Sequence, residues 1–274
     1  MKILFIHQNC PGQFKHLAPY LAKQGHQVLF LTQPGKPEVL GVKKIEYVPS
    51  RLASEKTHHY LRQTEQGILN GQAAAKAALS LSEKGFKPDV VVAHMGWGEA
   101  LYIKNIWPET KLLGYFEWYY QNEGSDAGFL ARRKPDLEAS CKSLTRNALH
   151  LLNLQVVDQG ISPTYWQLNQ HPEEYREKIT VLHEGVNTQL ITPNKDVNLK
   201  IDEDLTLNSS HEVITYVARN LEPYRGFPSF MHAAAILQKK RPSCHIVVVG
   251  GDGVSYGRRL PNGQTYRELL SSEL

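Results

Sequence analysis

ITYVARNLEPYRGF, residues Ile214 to Phe227, is an apolar run rich in β-branched residues that stops at an arginine. A second arginine, Arg225, follows on the same short stretch, with Gly226 behind it. Such a run, closed by turn residues, reads as a buried strand, and the apolar spacing from Pro228 to Lys239 reads as a helix. In doubly wound sheets, ligands bind beyond the carboxyl ends of the strands, where this loop falls. A guanidinium is a planar fork matched to phosphate oxygens, and two of them neutralise a diphosphate. Gly226 lets the backbone come close, and the helix start adds its positive end. The competing reading is a surface ion pair of Arg219 and Arg225 with Glu222, and spacing alone does not choose between them.

The same rhythm runs through the rest of the chain. Ile3–Ile6 reads as a short buried strand followed by a Pro-Gly loop, and Phe14, Leu17, Ala18 and Leu21 recur at helical spacing up to Gly25. Val28–Leu31 is the next strand, so the chain opens with a strand-loop-helix-strand unit of a parallel sheet. The spacing predicts a long helix over 57–81, with Leu61, Ile68, Ala75 and Leu79 on one face and the small residues Gly71, Ala74 and Ala78 on another. Asp89–Ala93 lacks alternation, as a strand covered on both faces does. Lys111–Phe116, Leu149–Leu154 and Lys178–Leu182 read as further strands, and Pro135–Arg146 as a helix. The polar, charged stretch 192–211 reads as a connection between a first domain, 1–191, and a second, 212–274. In the second, strands at Val213–Ala218 and His245–Val249 alternate with helices. Two strands do not bury a parallel sheet, so the second domain is expected to be incomplete, leaning on the first domain or cut short.

Composition bounds the function. The 274 residues carry a formal charge of +4 with 41% hydrophobic and 21% charged residues, an ordinary globular balance. Basic pairs such as Arg132-Arg133-Lys134, Lys239-Lys240-Arg241 and Arg258-Arg259 are scattered without interleaved aromatics, which argues against a nucleic-acid stripe. The three cysteines are far apart, so no disulfide framework or zinc site is expected, and a reducing compartment is the simplest setting. No stretch approaches the ~20 apolar residues of a membrane span, and the apolar run Ile3–Ile6 is too short for a signal-peptide core. A cytoplasmic protein is expected, with peripheral contact at the inner membrane face left open.

Other candidate groups sit at strand ends. Gly12 occupies the phosphate-approach position after the first strand, without a full GxGxxG pattern. His94 and Glu117 follow two strands of the first domain and face the same edge, where general acid–base groups would meet a substrate hydroxyl. The run EWYYQ, Glu117–Gln121, places aromatics beside that carboxylate, to line a pocket for a sugar or apolar acceptor or to fill a loop. Gly250, Gly251 and Asp252 end another strand, as a ligand-side loop or a tight turn. No HExxH, GxSxG or CxxC pattern appears.

These pieces resemble the retaining family 4 glycosyltransferases of GT-B fold, in particular a bacterial subgroup. PGQFKHLAPYLAKQGHQVLFLT looks like the glycine loop, helix and strand that open such enzymes. ISPTYWQLNQHPEEYREKITVLHEGVNTQLITP resembles the passage into their second domain. ITYVARNLEPYRGFPSFMHAAAILQKKRP is similar to the motif that grips the donor diphosphate, and HIVVVGGDGVSYG to the next strand and its glycine loop. The resemblance implies an α/β chain of two Rossmann-like doubly wound domains. It also implies metal-independent sugar transfer from a nucleotide-diphosphate donor to a glycan, lipid-linked or other hydroxyl acceptor, with no separate cofactor. By position Arg219, Arg225 and Gly12 match residues that meet the donor phosphates. Glu117 falls where many relatives carry a histidine near the reacting sugar, which is a departure. Relatives continue with further strands and an acidic motif, so the resemblance implies a chain truncated within its second domain. The alternatives are a non-catalytic remnant or half-protein that needs a completing partner chain, and a nucleotide-sugar epimerase.

Overall fold

The computed structural model describes residues 1–125, 128–130 and 134–274. Arg132 and Arg133 of the first basic cluster lie outside the described residues. The chain divides into two compact units, Met1–Gly185 and Val186–Leu274.

In the first unit seven strands form one sheet: β1 (Lys2–Ile6), β2 (Gln27–Thr32), β3 (Lys43–Glu46), β4 (Val90–His94), β5 (Lys111–Tyr115), β6 (Gln159–Ser162) and β7 (Ile179–Val181). Their order is β3-β2-β1-β4-β5-β6-β7, and every neighbouring pair is parallel. The helices are α1 (Leu17–Lys23), α2 (Arg62–Glu83), α3 (Ile103–Ile106), α4 (Leu137–Arg146), α5 (Ala148–Val156), α6 (Tyr165–Leu168) and α7 (Glu173–Arg176). One apolar layer joins Leu4, Ile6, Leu29 and Val91 to Ala74 and Ala78 of α2 and Leu154 of α5. Another joins Ile3, Phe5, Phe30 and Val92 to Phe14 and Ala18 beside α1. With apolar residues facing both layers, β1, β2 and β4 read as continuous apolar runs, as strands covered on two sides must. The strand order reverses between β1 and β4, and their carboxyl ends lie side by side there.

Two sequence expectations change. Leu149–Leu154 is not a strand but the middle of α5. A short apolar run without alternation fits either element. Here Asn153 decides the helix face by donating through Nδ2 to the Met95 carbonyl at 2.8 Å, while Leu151 and Leu152 stay exposed. The long helix begins at Arg62 rather than 57, because residues 54–61 turn around the Glu65 carboxylate, which accepts from Ser54 N at 3.0 Å and Thr57 Oγ1 at 2.6 Å. Its buried face is the small-residue one: Gly67, Gly71, Ala74 and Ala78 are buried while Leu61 and Leu79 are exposed. A Cβ on Gly71 would stand 2.7 Å from the Gly98 carbonyl oxygen, so the helix backbone itself is the contact surface. Strands β3 and β6 had no sequence signal, being short and half polar.

The second unit carries a small antiparallel hairpin, β8 (Leu199–Lys200) with β9 (Thr206–Leu207), inside the stretch expected to connect the domains. It also carries the parallel pair β10 (Val213–Asn220) and β11 (His245–Gly251), with α8 (Phe227–Lys240) and α9 (Tyr266–Glu273). Its core is Leu221, Phe227 and Leu270, with Tyr216, Met231, Val248 and Tyr266 around them. Thr265 and Glu268 form a capping box at the start of α9. Among the described residues no helix is long and apolar enough to cross a membrane.

The packing of α2 makes a directional prediction. Gly71→Ala should destabilise the first unit by about 1–3 kcal/mol, because a backbone contact must shift, although alanine in an open helix would gain about 1 kcal/mol. Leu79→Ala, on the exposed face, should stay within about 0.5 kcal/mol. Urea melts of both variants check the sign; a stabilised Gly71→Ala would show that the helix does not touch the Gly98 loop.

Candidate functional site

His94, Glu117 and Gly12 come together at the carboxyl ends of β1, β4 and β5, and two residues that the sequence did not single out join them. His94 ends β4 and is buried; its Nε2 lies 3.1 Å from Glu117 Oε2. Its Nδ1 accepts the Gly96 amide at 3.1 Å. A ring nitrogen that accepts carries no proton, so Nε2 carries it and donates to the carboxylate. The same device fixes His7, whose Nδ1 accepts the Asn9 amide at 2.8 Å. Gln13 completes the group: its Nε2 donates to Glu117 Oε2 at 3.0 Å, and its side chain also bonds the His7 ring. Glu117 is thus one half-exposed carboxylate oriented by His94 and Gln13. The hydrogen bond from His94, and then the nearby imidazoles, hold it below the ordinary carboxylate range.

Gly12 has a packing reason of its own. It takes φ +50°, and a Cβ there would stand 2.9 Å from Cδ2 of His7. The cis Cys10–Pro11 peptide precedes it. The His7 and His94 rings meet edge to face at 4.8 Å between centroids. Burial, and then the neighbouring His94, push the His7 imidazole down to about 3, so it stays neutral. His150, buried on α5, is likewise held down to about 3 by burial first and His171 second. Beside Gln13 a cavity of about 360 Å³ is lined by Phe14, Leu17, Leu113, Tyr115 and Leu182, with the Tyr115 hydroxyl donating to the Glu184 carboxylate on its wall.

The second unit gathers Arg219, Arg225 and Gly226 at the carboxyl end of β10. Arg219 is exposed in the last turn of the strand, and Arg225 is exposed in the 3-10 turn Pro223–Arg225. Gly226 takes φ +76° and stands at the N-cap of α8, a conformation that favours glycine. The ion pair with Glu222 weighed from the sequence does not form. Glu222 is fully buried, and its carboxylate accepts the amides of Ser255 and Tyr256 at 3.1 Å and Gly257 at 2.8 Å. Among the described residues no salt bridge holds Arg219 or Arg225. Arg225 instead lies 5.1 Å over the ring of Tyr256, in the segment that Glu222 anchors, and its carbonyl accepts the Tyr216 hydroxyl at 2.9 Å. Glu222 therefore positions the arginine through the loop, a role that spacing could not reveal because its partners are backbone amides more than thirty residues away.

Gly250, Gly251 and Asp252 are engaged inside the unit. A Cβ on Gly250 would meet the Ala218 carbonyl at 2.8 Å, and one on Gly251 would meet Asn220 Oδ1 at 3.1 Å, so β11 presses its last turn against β10 there. Asp252 accepts both ends of the Arg267 fork, at 2.8 and 2.7 Å. Among the described residues no group of three His, Cys, Asp or Glu side chains is arranged to hold a metal ion.

A family model described as glycosyl transferase family 4 group matches residues 24–191, more than half of the chain, and the chain belongs to that group. No curated protein matches the chain by sequence. Among solved structures it is similar to the catalytic domain of starch synthase IV from Arabidopsis thaliana, solved with ADP and acarbose. The identity is 14%, over 99% of this chain and 71% of that one, with a TM-score of 0.59. The UDP-GlcNAc 2-epimerase of Neisseria meningitidis overlaps 99% of this chain and 70% of its own at 14% identity and a TM-score of 0.45. The glycosyltransferase SsfS6 of Streptomyces sp. SF2575 overlaps 92% and 68% at 13% identity and 0.40. Scores that low carry no weight; the starch synthase likeness shows the fold, an α/β arrangement of the Rossmann-like GT-B kind. The chain spans between 62% and 71% of the lengths of these solved structures and their companions.

The buried histidines give a pH prediction with a fixed sign. The folded state keeps His7 neutral down to about 3, whereas the unfolded chain takes up its proton near 6.5. Stability from this group is complete above 6.5 and is lost as pH falls below it. Glu99, whose carboxyl burial raises, titrates with the opposite sign in part of that window, so a difference is the clean measurement. Relative to His7→Asn, the unchanged protein should lose roughly 1.4 kcal/mol per pH unit between pH 6 and 4.5. Parallel stability curves would show that His7 is solvated and titrates normally.

Proposed function

We propose that this family 4 group member is a retaining glycosyltransferase. It moves a sugar from a nucleotide-diphosphate donor to a hydroxyl acceptor, without a metal ion or separate cofactor. The observation that carries the proposal is the pair of exposed guanidiniums, Arg219 and Arg225, beside the left-handed Gly226 at the start of α8. Their charge has no salt-bridge partner among the described residues, while the one carboxylate on their loop is turned inward and satisfied by amides. A diphosphate supplies the missing anion through the guanidiniums themselves, because at the start of α8 the Phe227 amide is bonded to the Glu222 carbonyl and Pro228 has no N–H.

In this reading the bond from the donor sugar's C1 to the phosphate oxygen breaks, and the diphosphate leaves with the electron pair. Its charge grows as the bond lengthens, so two preplaced cations stabilise the transition state more than the ground state. They do the work that a divalent cation does elsewhere. The acceptor oxygen forms the new bond to C1. Glu117 is a poor base, because its carboxylate is held ionised below its ordinary range. It accepts a hydrogen bond and orients the acceptor, and the hydroxyl proton passes to the departing diphosphate. His94 has both ring nitrogens committed, to Glu117 and Gly96, and acts by positioning that carboxylate. Gly12 lets the loop backbone lie against the His7 ring.

Calorimetric titration with UDP, GDP and ADP in the presence of a chelator tests the clamp. At least one nucleoside diphosphate should bind, and Arg219→Ala should weaken it roughly 10- to 100-fold, the loss of a charge-assisted bond. Affinity unchanged by that substitution would remove the basis of the proposal.

A further inference from the structure

Three of the chain's four tryptophans sit around His94 and Glu117, while Trp107 alone is buried in the apolar core. Trp97 is exposed, and its ring stacks on His94 at 6.3 Å with 22° between planes. Trp118 follows Glu117 directly, and its ring meets that of Trp166, from α6, at 5.5 Å. Trp166 is 47% exposed and its neighbour Tyr165 is 73% exposed. Large half-exposed aromatics grouped beside a polar cluster mark a binding surface rather than leftover core.

The arrangement is built. Gln167 donates through Nε2 to the Glu117 carbonyl at 2.9 Å, and its Oε1 accepts the Thr164 hydroxyl at 2.7 Å, which ties α6 to the strand end that carries Glu117. Gln170 holds the Trp166 carbonyl at 3.0 Å, and Gln121 donates to the Gln170 carbonyl. The rim is therefore made of amides, with one half-exposed carboxylate, Glu117.

We propose that Trp97 and the Trp118–Trp166 pair are stacking platforms for pyranose rings, so that the acceptor bound at Glu117 is a carbohydrate chain. The proposal rests on the transfer reading above and names its acceptor class. A pyranose ring presents a face of C–H bonds and an edge of hydroxyls. The indoles cover the face, and the carboxylate and amides take the edge. A phospholipid surface fits the same residues poorly: aromatic side chains suit a bilayer interface, but an ionised Glu117 repels anionic headgroups, and the guanidinium of Arg176 at the end of α7 is bonded to the Asn169 and His171 carbonyls.

The test uses the whole chain with tetrasaccharides of α-glucan, β-glucan, β-linked N-acetylglucosamine and α-mannan as probes, read by tryptophan fluorescence and saturation-transfer NMR. At least one series should bind, with transfer to ring C–H protons. Trp166→Ala should weaken that binding about tenfold and Trp166→Phe should restore part of it, as for an exposed aromatic anchor. Nucleoside diphosphate affinity should not move in either variant. Binding by none of the four series overturns the proposal, as does glycan binding indifferent to Trp97, Trp118 and Trp166, or a fluorescence change with phosphatidylcholine–phosphatidylglycerol vesicles in place of any sugar. Glycan binding that depends on the tryptophans in a protein that binds no nucleotide upholds the platform and removes only the donor reading.

Discussion

Everything in the first unit depends on a sheet whose seven strands all run the same way. Parallel strands send every carboxyl end to one edge, and the order turns around between β1 and β4. At a turning point the connections leave in opposite directions, so the edge opens instead of being covered by a crossover. His7 just after β1, His94 at the end of β4 and Glu117 just after β5 meet because those strand ends are adjacent. Their chemistry follows from that neighbourhood. Two imidazoles whose inner nitrogens are tied to amides present N–H groups outward, and a carboxylate placed among them stays charged.

The second constraint is close approach of backbone to backbone and ring. Gly71 and Gly98 allow α2 to rest on the loop after β4, and Gly12 allows the loop after β1 to lie on His7. Gly250 and Gly251 do the same between β11 and β10. At Gly71, Gly98 and Gly250 a backbone carbonyl stands where the Cβ would go, and at Gly12 the His7 ring does. Such glycines are structural even where they lie at a strand end, and a functional reading of them needs an observation beyond their position.

Much of this is legible in the amino-acid sequence alone. The β1-α1-β2 unit, β4, β5, β10, α8 and β11 all announce themselves through uninterrupted apolar runs and the glycines that close them. The strand ends then place His94, Glu117, Arg219 and Arg225 at the carboxyl edges of their sheets. What stays hidden has a common cause: it depends on partners distant in sequence. Nothing local tells that Leu149–Leu154 is helical until Asn153 finds the Met95 carbonyl. Nothing local turns Glu222 inward, since its amide partners follow β11. Gln13 lies inside the glycine loop but has meaning only through Glu117, 104 residues on. Trp166 comes to lie near Glu117 because α6 is fastened to the backbone of Glu117.

In the transfer proposed above, a sugar leaves a nucleotide diphosphate and arrives on a carbohydrate hydroxyl with its configuration kept. The most direct test is incubation of the chain with nucleotide sugars labelled at C1 and an oligosaccharide mixture, followed by NMR of the products. Nucleoside diphosphate should be released in step with a new glycosidic linkage whose anomeric configuration equals the donor's. An inverted linkage, or a recovered nucleotide sugar altered at a ring carbon with no linkage formed, would contradict it.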